Sequence, residues 1–85
     1  KIIYIEGLAD YIRIHLQEEA PLMTLMSLKK ILEKLPAAQF QRIHRSYIVN
    51  GRYIRSFTQK KLLLHDGSGI PVGEAYVENL EQWFR

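Results

Sequence analysis

Cysteine is absent from this 85-residue chain, so neither a disulfide framework nor a thiolate metal site is available to it. That composition fits a reducing cytoplasm, the expected location. No apolar run approaches the ~18 residues of a membrane span, and no signal peptide precedes the chain, so no membrane contact is expected of this segment. The histidines, His15, His44 and His65, match no ligand spacing and no HExxH accompanies them, so neither a metal nor another cofactor is expected. The glycines of GSGIPVG lack the lysine and hydroxyl residue of a phosphate-binding loop and read as a hairpin turn and a helix cap. Acidic residues are missing altogether between Lys34 and His65. Ser46 therefore stands near His44 with no orienting carboxylate in that half, and catalysis is not expected.

What is present in that acid-free half is positive charge. Lys34, Arg42, Arg45, Arg52, Arg55, Lys60 and Lys61 fall there, whereas the other five basic residues share the rest of the chain with all nine acids. One half is thus suited to meet anions. The overall composition, 47% hydrophobic and 25% charged, is that of one folded domain. A chain this short buries only roughly 60% of its unfolded surface, so a surface function is a better expectation than an enclosed active site. The chain starts at Lys1 and runs directly into the strand-like IIYI, as expected of a domain excised from a longer protein.

Residues 2–5 and 11–16 read as two strands joined by EGLAD. In the second, Ile12, Ile14 and Leu16 alternate with Arg13 and His15, which are expected to point outward. Pro21 opens a short strand LMTLM. Ser27 caps a helix over about 27–35, in which Leu28, Ile31, Leu32 and Leu35 recur at helical spacing before Pro36. Phe40 to His44 look extended. Beyond them the chain reads as a helical turn through Arg45 to Val49, stopped by Asn50 or Gly51 in a left-handed conformation, or else as an Asn50-Gly51 hairpin; the helical turn is preferred. Residues 52–58, 61–65 and 69–72 read as an antiparallel meander broken by QK and DGS. The amphipathic tail, about 73–84, closes the chain as a second helix. The fold class expected is mainly β, with short strands and hairpins and two peripheral helices.

The segment RIHRSYIVNGR concentrates polar groups around the apolar Tyr47, Ile48 and Val49. Arg42, Arg45 and Arg52 offer planar forks that can clamp a phosphate or the O6/N7 edge of guanine; Ser46 and Asn50 add neutral donors. A nucleic acid would use such a mixture. The same arginines could instead pair with Glu6, Asp10 or Glu74 across the fold.

These residues also resemble a known family. IIYIEGLADYIRIHL, then SLKKILEKL, FQRIHRSYIVNGRYI and LLLHDGSGIPVGEAYVENL are similar to the LytTR DNA-binding domain of bacterial regulators, with F-x-R-x-H-R-S-Y-x-V-N as the specific signature. The likeness covers nearly the whole chain, lacking about the first strand. It implies an elongated antiparallel β architecture that binds double-stranded DNA through loops, as the output domain of a two-component response regulator. It further implies a receiver domain in the full-length protein, and a dimer that reads paired promoter repeats. Residues 1–85 would then be one such domain from the C-terminal part of a longer regulator.

By position, the likeness implies DNA contacts from three loops. Asp10 and Tyr11 occupy the first. Arg45 is the expected base reader of the second, with Ser46 and Arg42 at the DNA backbone. In the third, where many members carry a serine followed by arginines, this chain has Gly73, Glu74 and Ala75. Glu74 there either accepts from cytosine N4 or favours the positive start of its helix. Arg52, Lys60 and Lys61 are assigned to the DNA backbone. His44 either contacts DNA or fixes loop geometry, and Asn50 closes the turn. The rival expectation is an interaction or dimerisation module that uses the KLLLH hairpin and the C-terminal helix, with Trp83 or Phe84 exposed.

Overall fold

The computed structural model describes residues 1–58 and 60–84. Gln59, in the expected QK turn, lies outside the described residues. Strand β1 (Ile2–Leu8) forms an antiparallel hairpin with β2 (Tyr11–Leu16), and β3 (Leu22–Thr24) adds to the outer edge of β2. On the other side of β1 lies β5 (Tyr47–Asn50), paired in turn with β4 (Phe40–His44), so the first sheet runs β3-β2-β1-β5-β4. A smaller antiparallel sheet contains β6 (Ile54–Phe57), β7 (Lys61–Leu64) and β8 (Gly69–Pro71) in sequence order. Helices α1 (Leu28–Glu33) and α2 (Val77–Trp83) are peripheral. The architecture is mainly β, as expected, and spans 31 × 25 × 21 Å.

The five-stranded sheet is buried on both faces at its central strands, whereas β3 at its edge is mostly exposed. Ile5, Ile12, Ile48 and Phe40 pack with Leu28 of α1 on one side. On the other, Ile3, Ile43 and Val49 meet Leu62, Leu64 and Ile70 of the small sheet and Leu80 of α2. Ile48 and Val49 therefore serve opposite cores, and both have no accessible surface. Such two-sided burial produces the continuous apolar run of a central strand rather than an alternating one.

That run corrects the expectation for residues 45–49. The chain reverses at Arg45-Ser46 and continues as β5, so neither the helical turn through Val49 nor the Asn50-Gly51 hairpin forms. A helical turn occurs one element later, as a 3-10 turn over Gly51–Tyr53. Asn50 caps it from an extended conformation (φ −91°), its Oδ1 accepting from Arg52 N–H at 3.0 Å while its Nδ2 donates to the Ile2 carbonyl at 2.7 Å. It is the one buried polar residue among those described.

Other boundaries moved less. Ser27 does cap α1, accepting from Lys30 N–H at 3.0 Å, but the helix ends at Glu33 with Lys34 as its C-cap. Strands β3 and β6 are shorter than read from sequence, and a 3-10 turn over Glu74–Tyr76 leads into α2. Arg13 and His15 do not simply face solvent. Both reach Glu6 Oε1, at 3.3 and 3.2 Å, and the His15 ring stacks on Tyr4 with centroids 4.1 Å apart. Burial pushes the Tyr4 phenol above its ordinary pKa of 10.0, against an opposing hydrogen bond with Ser68.

Candidate nucleic-acid interface

Antiparallel pairing of β1 with β5 puts the β1–β2 turn and the β4–β5 turn at the same end of the sheet. Glu6 stands opposite Tyr47, and Gly7 N–H donates to the Ser46 carbonyl at 2.8 Å, tying one turn to the other. A third segment is drawn to the same place. Gly73 N–H donates to the Ile43 carbonyl at 2.9 Å, and Val72 N–H to the Lys60 carbonyl at 2.9 Å. The sequence-expected loop residues Asp10, Tyr11, Arg45, Ser46 and Glu74 thus converge on one end, with Lys60 beside them. Asp10, Tyr11, Arg45, Lys60 and Glu74 are exposed and Ser46 is half-buried.

The Arg45-Ser46 turn is built by side chains. Between Arg42 and His44 strand β4 carries a bulge, which turns Ile43 into the core and places His44 opposite Tyr47. His44 Nδ1 accepts from Ser46 N–H at 3.0 Å. Arg42 lies beneath the turn, its Nη2 donating to the Arg45 carbonyl at 2.5 Å and its Nε to the His44 carbonyl at 3.4 Å. The Arg45 guanidinium makes no hydrogen bond or ion pair among the described residues. The acid-pairing alternative is not realised for it. Glu6 is taken by Arg13 and His15 instead.

The other expected contacts fall in different places. Thr58 Oγ1 accepts from the backbone N–H of Lys60 and Lys61, at 3.3 and 3.1 Å, which shapes the chain entering β7. Lys61 stands opposite Pro71, with its side chain lying over Gly69. Arg52 is not brought to the loop end. The four residues of β5 separate it from Ser46, about 13 Å of strand, and it lies with Trp83 and Phe84 at the far end. There Gly51 is required by a close approach, since a Cβ would come within 2.9 Å of the Trp83 ring.

Charge counting along the chain passed over one neighbouring group. The Leu28 side chain packs on Gly7, where a Cβ would meet it at 2.9 Å, so the first turn of α1 with exposed Lys29 and Lys30 adjoins the loop end. These lysines share their half of the chain with acids. The packing of α1 on the sheet, with Leu28 against Gly7, reveals their position.

Two antiparallel sheets with peripheral helices, carrying a cluster of charged and polar loops at one end, define a loop-presenting β domain. The chain matches the family model for the LytTr DNA-binding domain over residues 1–85, and it belongs to that family. It is 33% identical over 85 aligned positions, covering 93% of this chain, to the CO-responsive transcriptional regulator RcoM of Rhodospirillum rubrum, and 39% identical over 57 residues, covering 61% of this chain, to the sensory transduction protein LytT of Bacillus subtilis. The chain spans 36% and 24% of those two proteins respectively. A solved LytTr DNA-binding domain from Bacillus cereus, of a protein described as a methyl-accepting/DNA response regulator, superposes with a TM-score of 0.87 at 27% identity, covering 99% of this chain and 81% of that one.

Proposed function

We propose that the loop end binds double-stranded promoter DNA sequence-specifically, its loops entering the major groove, and that residues 1–85 form the output domain of a two-component response regulator. The observation that carries this reading is Arg45, an exposed guanidinium without a partner among the described residues, on a turn whose backbone is held from both sides. Such a fork can bind guanine O6 and N7 in parallel and discriminate by ~1–3 kcal/mol, whereas a phosphate contact discriminates little. The Ser46 hydroxyl and Lys60 flank it as backbone contacts, with Lys61 behind them. Asp10 and Tyr11 meet the neighbouring surface, where the carboxylate can accept from cytosine N4. Glu74 has the same capacity. For the whole protein the same reading adds a receiver domain, a dimer on paired repeats and a cytoplasmic location; the names of LytT, a sensory transduction protein, and RcoM, a transcriptional regulator, are in keeping with a signalling and transcriptional role.

Selection from randomised duplexes tests the reading. The wild-type domain should enrich a motif, and Arg45→Ala should lose preference at one base pair of it, by roughly 5- to 150-fold. Uniform weakening across all sequences would make Arg45 a phosphate contact, and no enrichment by the wild type would remove the proposed specificity.

A second surface is favoured by its own observation. Pro36, Ala38, Gln39, Gly51, Arg52, Trp83 and Phe84 line a largely apolar groove of about 470 Å³ at the far end, and Phe84 is 46% exposed. This is where dimerisation or docking of another domain would occur. Being at the opposite end, it is compatible with DNA binding.

A further inference from the structure

The Arg45-Ser46 turn has no glycine, proline, asparagine or aspartate at its corners, and serine, the weaker turn former, is its one favourable residue. Four hydrogen bonds hold the turn. The Nε and Nη2 edge of Arg42 serves two successive carbonyls, those of His44 and Arg45. His44 Nδ1 accepts from the Ser46 N–H, and the Ser46 carbonyl accepts from the Gly7 N–H. A fixed, planar pair of donors fits two carbonyls of one turn in a way that a lysine ammonium on a flexible stem does not. The acceptor role of Nδ1 likewise leaves the proton of a neutral imidazole on Nε2.

We propose that Arg42 and His44 are positioning residues, which hold the turn in one conformation so that Arg45 meets a base on an already ordered backbone. Neither is a phosphate contact. The inference rests on the reading of the loop end as the DNA interface. It assigns two polar neighbours of Arg45 to shaping the turn, and it explains how a binding loop whose one turn-forming residue is a serine is held in place. The benefit is preorganisation: a loop ordered beforehand does not lose its conformational freedom on binding.

The test compares Arg42→Lys, Arg42→Gln, His44→Asn and His44→Gln by affinity for the wild-type motif and for its variant at the base read by Arg45, across a salt series, with thermal melts to confirm folding. Asparagine Oδ1 can stand in for Nδ1 of histidine; glutamine sets its amide further out. The expected result is that Arg42→Lys and His44→Gln lose about tenfold or more of the preference while His44→Asn keeps it. Arg42→Gln should leave the slope of log K against log salt unchanged. In an Arg45→Ala background, Arg42→Lys should have no further effect on preference, because it acts through Arg45. The proposal is overturned if Arg42→Lys retains full preference, or if Arg42→Gln reduces the slope by about 0.9, the signature of one lost phosphate contact. A wild-type domain without sequence preference would overturn the specific reading itself, a result distinct from either.

Discussion

Arg45 and Arg52 are the same residue in the same short polar stretch, and their surroundings give them different work. Arg45 stands at a two-residue reversal with its side chain free among the described residues, whereas Arg52 lies beyond β5 beside Trp83 and Phe84. Strand β5 separates the two, and Asn50 at its end fixes the second: its amide donates to Ile2 in β1 and caps the 3-10 turn that carries Arg52. Asn50→Ala leaves the Ile2 carbonyl without its donor and the turn without its cap, in a site only 2% exposed. Denaturant unfolding should show a loss of about 1–3 kcal/mol. A loss within a few tenths would mean that water replaces both bonds. The structural assignment of Asn50 was legible in its residue type, although its extended backbone and its bond to β1 were not.

Among the elements, alternation and capping were readable and turn chemistry was only partly so. Ile12 and Ile14 announce β2, and Ser27 announces α1, because each acts through its own neighbours in sequence. The β4–β5 turn is different: besides Ser46 it depends on the side chains of Arg42 and His44, which are no turn signals, and on the amide of Gly7, which lies far away in sequence. The β5 segment also lacks alternation, since Ile48 and Val49 feed two cores, and its apolar run does not separate strand from helix. The β1–β2 turn carries a cost of its own. Ala9 has φ 48°, a left-handed conformation that glycine adopts freely and alanine does not. Ala9→Gly should raise stability by up to about 1 kcal/mol, read as an upward shift of the thermal midpoint with the fold unchanged. An unchanged or lower midpoint would show that the entropy glycine adds to the unfolded chain cancels the relief.

At the scale of the molecule, the two ends divide the chemistry. Loops from three separate parts of the chain meet at one end because β1 pairs with β5 and Gly73 bonds Ile43; the aromatic groove gathers at the other because α2 brings Trp83 down onto Gly51. The acid-free half of the sequence, read as suited to anions, is not one surface. Arg45 and Lys60 reach the loop end and Arg52 does not, whereas Lys29 and Lys30 adjoin it from the other half of the chain. The resemblance implied three loops, and the hydrogen bonds of Gly7 to Ser46 and of Gly73 to Ile43 bring those segments, far apart in sequence, to one end of the molecule. The central claim, that DNA is met at the loop end, is tested most directly by amide chemical shifts of the domain titrated with its selected duplex. The account predicts that the large changes cluster at Asp10 and Tyr11, Arg45 and Ser46, Lys60, and Gly73 and Glu74, with Gly51 to Tyr53 and Trp83 nearly unmoved. Changes centred on Gly51, Arg52 and Trp83, with the loop end silent, would contradict it.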